Sequence, residues 1–227
     1  MLLCPSTMCL DFINLKEDIK ALEDSGIDIF HNDIMDGNFV PNITLGINDL
    51  KVIRKLTNKP MDAHLMISNP HDKVDWFIDA GMDIIYIHPE AGEKTLETLK
   101  HIKDRNIKAG IAINPETKIS DVEHLFELCD YVMIMSVHPG FAGQKFLEEV
   151  MDKIEEIGKL KAKYNFVLML DGACSPSKIK ECSALGVDGF VLGTSALFGK
   201  GRPYKELVDE LRCLWIHRRK YNRVGIV

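Results

Sequence analysis

Eight short, almost unbroken apolar runs recur along the chain: Leu2–Cys4, Asp28–His31, Met61–Leu65, Ile84–His88, Ala109–Ile113, Tyr131–Met135, Phe166–Leu170 and Gly189–Leu192. Each is only about four or five residues long, and successive runs start about 22–35 residues apart. Strands with one wet face alternate apolar and polar residues, whereas strands buried on both faces read as continuous runs, as in a parallel sheet. Each gap has room for a loop, a helix and a second loop, the size of a βαβ unit.

The gaps carry helical marks. Lys16–Ser25 places Ile19 and Leu22 on one face, and Asn69-Pro70 opens a segment with Val74, Phe77 and Ile78 at helical spacing. Ser120–Leu128 reads as a helix through Val122, Leu125 and Phe126. Ser175-Pro176 is an N-cap followed by proline at the first helical position. Gly26, Gly81 and Gly186 stand where helix-ending glycines belong.

Eight such units in 227 residues predict one (β/α)8 TIM barrel over residues 1–227, with a doubly wound open sheet as the rival. No linker-like stretch divides the chain. The net charge of −6 argues against a nucleic-acid partner, and no apolar run approaches the ~20 residues of a membrane helix. No basic residue precedes Lys16, so a secretory leader is not expected. The cysteines at 4, 9, 129, 174, 182 and 213 form no CxxC, which suits reduced thiols and a cytoplasmic location. The Arg218–Arg223 cluster reads as a solvated tail.

A parallel barrel keeps its active site at the C-terminal ends of its strands. His31 and Asp33 are two residues apart and share one face of their strand. If that face is the interior, His31, Asp33, His64 and Asp171 converge from three strands. Two imidazoles and two carboxylates suit one divalent ion, Zn²⁺, Mn²⁺, Co²⁺ or Fe²⁺. Glycine-rich turns follow the sixth and eighth runs, Gly140-Phe141-Ala142-Gly143 and Gly193-Thr194-Ser195, with Gly172-Ala173 between them. Barrels commonly hold phosphate on such backbone N–H groups. Met35, Met66 and Met135 lie by the strand ends as core packing or as an apolar collar over the metal.

These motifs carry a resemblance. The sequence resembles the ribulose-phosphate 3-epimerase family from end to end, through Cys4-Pro5-Ser6, the ordered stretch His31–Thr44, Asp62-Ala63-His64-Leu65-Met66, Pro139–Gln144 and Asp171-Gly172. Some positions depart from the usual ribulose-5-phosphate pattern: Cys9-Leu10-Asp11-Phe12, Ala142 in the glycine turn, and Ala173-Cys174 after Asp171. With Ser6-Thr7-Met8-Cys9, His88-Pro89-Glu90, Asn114–Thr117 and Gly193-Thr194-Ser195, they look like the D-allulose-6-phosphate 3-epimerase branch, the pentulose-phosphate enzyme being the alternative. His138 fits neither pattern.

The resemblance implies a metal-dependent inversion of C3 in a ketose phosphate through a cis-enediolate. Asp33 and Asp171 would be the two acid/base groups, and His31, Asp33, His64 and Asp171 the metal ligands. Ser6, His64 and Asp171 would lie at the substrate. Gly140, Phe141, Ala142, Gly143, Gly172, Ala173, Gly193 and Thr194 would hold the phosphate. It also implies a homo-oligomer, a dimer or larger. A lyase or synthase using a lysine Schiff base is a competing class, but no lysine ends one of the runs. A non-catalytic sensor is another, against which stands the intact set of four metal-site residues.

Overall fold

The computed structural model describes the backbone of residues 1–221 and the side chains of residues 1–214. The side chains of the Arg218–Arg223 cluster lie outside the described residues. The strands are β1 (Leu2–Pro5), β2 (Phe30–Met35), β3 (Met61–Met66), β4 (Ile84–Ile87), β5 (Lys108–Ile113), β6 (Tyr131–Met135), β7 (Val167–Asp171) and β8 (Gly189–Leu192). Between and after them run α1 (Leu15–Ser25), α2 (Ile47–Leu56), α3 (Val74–Asp79), α4 (Thr95–Asp104), α5 (Ile119–Val122), α6 (Met151–Tyr164), α7 (Pro176–Ala184) and α8 (Tyr204–Tyr221). All ladders are parallel and run in the order β1-β8-β7-β6-β5-β4-β3-β2. The ring closes between β1 and β2 through the Ser6–His31 bridge and an Asp28 N–H that donates to Leu3 O at 3.0 Å. This is the expected (β/α)8 barrel, not the open sheet.

Why the runs are continuous is visible in how each strand divides its side chains. Ile84, Tyr86, Met133, Met135 and Met169 fill the barrel interior, while Ile85, Ile87, Val132, Ile134, Leu168 and Leu170 pack outward beneath the helices. Both faces are dry, so neither tolerates polar residues by default. The exception is β2 and β3, whose inward positions are His31, Asp33, Asp62 and His64.

Several boundaries differ from the sequence reading. Asp28 lies before β2 because its carboxylate accepts from Leu3 N and Arg212, stapling the barrel floor. Strand β2 instead runs on to Met35 and β3 to Met66, so His31-Asn32-Asp33 lies within β2, and Met35 and Met66, like Met135 at the end of the sixth run, are last residues of strands. The helix expected over Ser120–Leu128 is one α-turn, α5, followed by a 3₁₀ segment from Glu123 to Leu128. Val122, Leu125 and Leu128 are spaced by three, which a three-residue turn keeps on one face. The end signals stand: Ser175 Oγ accepts from Lys178 N at 3.3 Å, and Gly26, Gly81 and Gly186 take φ of 86°, 91° and 108°.

Candidate active site

The register of β2 on β3 sets Asp33 opposite His64, and β7 ends on Asp171 beside Met135 of β6. The four residues expected to converge do so: one donor atom each of His31, Asp33, His64 and Asp171 lies within 4.8 Å of the others. His31 Nε2 is 3.1 Å from Asp33 Oδ1 and 3.9 Å from Asp171 Oδ2. His64 Nδ1 is 3.2 Å from Asp33 Oδ1 and 3.5 Å from Asp171 Oδ2. A tetrahedral ion with bonds of about 2.0–2.1 Å sets its donors about 3.3–3.4 Å apart. The measured separations bracket that spacing, so the residues fit a divalent cation.

The electrostatics agree. Burial disfavours a charged His31, but Asp62 and Asp33 outweigh it and push the pKa well up. Burial opposes the His64 cation too, and its hydrogen bonds to the carboxylates of Asp171 and Asp33 override it. Burial likewise penalises the Asp33 carboxylate, yet the two imidazoles hold it far below the usual range. Protons on the histidines thus do in this cluster what a metal cation would do better.

Each ligand has a support behind it. His31 Nδ1 is 2.8 Å from the buried Asp62 Oδ1. Ser6 Oγ donates to Asp33 Oδ2 at 2.5 Å. Thr44 Oγ1 donates to Asp33 O and accepts from Met35 N, clipping the following loop onto β2. Asp36 accepts from Asn38 N, Phe39 N and Ser68 N, and Asn42 Nδ2 donates to Gly140 O at 2.7 Å across the mouth. The long motif from His31 to Thr44 is therefore one ligand strand plus the staples of the loop that roofs it.

Above the cluster lies a cleft. Ser6, Asp33, Asp171, Met35, Met66 and Met135 line it. So do Gly140, Phe141, Ala142, Gly143, Gly172, Ala173, Gly193 and Thr194. His31 and His64 are fully buried beneath it. Met35 and Met66 form a small apolar group with Val40, while Met135 belongs to the barrel interior. His138 is outside the cleft, paired at 2.7 Å with Glu116 on the surface.

Sequence reasoning assigned no role to several residues found here. Asp62 is two before His64, and the same two-residue period that selected His31 and Asp33 would have found it. Met8 and Cys9 line the cleft from the loop after β1. Ser136 Oγ donates to Asp171 O and Gly172 O, bracing the end of β7. His88, noted as the end of a run and in the His88-Pro89-Glu90 stretch but given no role, is buried with its Nε2 2.8 Å from His64 Nε2.

The chain is similar to known proteins along most of its length. Residues 2–198 match the model of the ribulose-phosphate 3 epimerase family. A ribulose-phosphate 3-epimerase of Bacillus subtilis (strain 168) is 37% identical over 211 residues, 92% of this chain and 96% of the relative. A chloroplastic ribulose-5-phosphate-3-epimerase of Arabidopsis thaliana is 38% identical over 218 residues, 94% of this chain and 76% of the relative. Among solved structures, a 3-hexulose-6-phosphate synthase superposes with a TM-score of 0.69 at 16% identity, over 94% of this chain and 99% of that one. At that identity the last likeness speaks for the barrel alone. Among the described residues no helix is long and apolar enough to cross a membrane.

Proposed function

The chain belongs to the ribulose-phosphate 3-epimerase family, and from that premise we propose that it interconverts D-ribulose 5-phosphate and D-xylulose 5-phosphate. The observation that carries this reading is the buried cluster of two histidines and two aspartates at the floor of a cleft walled by glycine turns.

The C2 ketone acidifies the C3 proton, and inversion requires a proton to leave one face and return to the other. Asp33 on β2 and Asp171 on β7 are the two groups placed to do this, one as carboxylate base and one as conjugate acid, with roles exchanged in the reverse direction. In the metal-free protein the imidazolium forms of His31 and His64 hold Asp33 ionised, as a base must be, and a bound cation would take over that part. Ser6 fixes the orientation of its other oxygen. His31, Asp33, His64 and Asp171 would hold a divalent ion, which would supply Lewis-acid stabilisation of the charge that develops on the substrate oxygens; Zn²⁺, Mn²⁺, Co²⁺ and Fe²⁺ all suit this donor set. The methionines narrow the cleft and keep water off the cluster. The turns at Gly140–Gly143, Gly172–Ala173 and Gly193–Thr194 offer backbone N–H groups to the phosphate.

The expected preference for D-allulose 6-phosphate yields to the alternative. The curated relatives carry ribulose-phosphate names. The departures at Cys9, Ala142 and Ala173 line the cleft. Measuring kcat/KM for both ketose phosphates with one metal-loaded batch tests this. A preference of more than about tenfold for the pentulose, 1.4 kcal/mol in transition-state binding, is expected; the same margin for the hexulose overturns it. Cytoplasmic location and homo-oligomerisation belong to the same reading. Cys4, Cys9, Cys129, Cys174 and Cys182, which form no disulfide, suit a reducing compartment.

A further inference from the structure

His64 needs its Nδ1 lone pair for the cluster, since that atom faces Asp33 and Asp171. A neutral imidazole has one N–H, so the proton must then sit on Nε2. That nitrogen lies 2.8 Å from Nε2 of His88. The two ring centroids are 5.0 Å apart and their planes differ by 25°, so the rings meet edge-on, as a ring-to-ring hydrogen bond requires. His88 Nε2 must accept, which places the His88 proton on Nδ1, the atom that faces Glu90 Oε2 at 3.5 Å. Glu90 is itself held in place by Asn114 N and Thr117 Oγ1. Phe39 packs against the His88 ring, with centroids 4.9 Å apart, and His88 has no solvent exposure.

Resting on the reading that these four residues hold a metal, we propose that His88 is a positioning residue: it accepts the Nε2 proton of His64 and so locks His64 in the tautomer and orientation that presents Nδ1 to the cation. The two histidine ligands are thus supported differently. His31 has a carboxylate beside it, Asp62, whereas His64 has a neutral acceptor that directs the proton without binding a charge of its own.

The test measures Zn²⁺ affinity by competition with a chelator for the wild type, His88→Leu and His88→Gln, with circular dichroism as the folding control. Leucine fills the space and accepts nothing, so affinity should fall about 10–100-fold. The amide oxygen of glutamine accepts the same proton and should restore affinity to within a few-fold. Wild-type and leucine affinities within threefold of one another overturn the proposal. Should the leucine variant not fold, ¹⁵N spectra of the Zn²⁺-loaded wild type decide: an Nε2–H tautomer of His64 is expected, and an Nδ1–H tautomer overturns it. A wild type that binds no Zn²⁺ fails the metal reading itself, an outcome distinct from either result on His88.

Discussion

Asp33 and Asp171 reach one point from different strands, β2 and β7, each bringing a carboxylate oxygen to within 4.8 Å of the other. Two carboxylates this close repel when both are ionised, and only the imidazoles or a cation between them make the arrangement tolerable. Asp33→Asn and Asp171→Asn should each lower kcat by at least about 10²–10⁴-fold while the protein stays folded. Metal content measured alongside separates loss of the proton carrier from loss of a ligand. Either variant turning over within about tenfold of the wild type removes the two-base scheme.

The cluster also fixes the sign of two pH dependences. The raised values of His31 and His64 stabilise the metal-free fold. That contribution is complete below about pH 6.5, the unfolded histidine value, and is lost as pH climbs through the folded values. The depressed Asp33 adds stability above about pH 4 that is lost on acidification through its folded value. Metal uptake runs the other way, because it must displace the histidine protons. The metal-free Tm should therefore fall between pH 6 and 9, while the extra stability given by added Zn²⁺ grows. Calorimetric titrations in buffers of different protonation enthalpy should report release of about one to two protons at pH 7. Release of none would contradict the protonation described.

Ser6 gives a smaller, directional effect. Its hydroxyl donates to Asp33 Oδ2, and a hydrogen bond to a charged group is worth about 1.5–3 kcal/mol. Ser6→Ala should cost roughly 10–100-fold in kcat/KM. Removing a donor from a carboxylate raises its pKa, so the acid limb of the kcat/KM profile should move to higher pH. Ser6→Thr keeps the hydroxyl and should lose much less. An alanine variant with an unmoved acid limb would show that the serine does not act through Asp33.

Much of this was legible before any coordinates. Runs continuous on both faces mark parallel strands, and the two-residue period puts His31 and Asp33 on one side, so fold and cluster follow from local rules. What escaped depends on partners far along the chain. His88 reads as a strand-end histidine until the edge-on meeting with His64 is seen, and Ser136 is an ordinary serine until it reaches the carbonyls at the end of β7. Strand β2 began late for the same reason: nothing local says that Asp28 belongs to Leu3 and Arg212. His138, which fits neither family pattern, pairs on the surface with Glu116 of another loop.

Gly172 and Gly143 separate backbone strain from crowding. Both take left-handed φ, 113° and 81°. A Cβ on Gly172 would meet Val137 Cγ2 at 2.6 Å and Val137 N at 2.9 Å, whereas one on Gly143 meets nothing within 4 Å. Gly143→Ala therefore carries only the left-handed penalty of about 1–2 kcal/mol. Gly172→Ala adds overpacking of about 1–3 kcal/mol. At about 2–4 °C per kcal/mol for a chain of this size, Gly172→Ala should lower Tm by roughly 5–15 °C and Gly143→Ala by only a few degrees. The kinetics should divide as well. Gly172 follows Asp171 directly and its carbonyl accepts from Ser136, so its replacement moves the carboxylate and lowers kcat. Gly143 lines the cleft on the far turn, so its replacement raises KM and spares kcat. Equal losses of stability in the two variants would show that Val137 yields freely and that the end of β7 is not held by this contact.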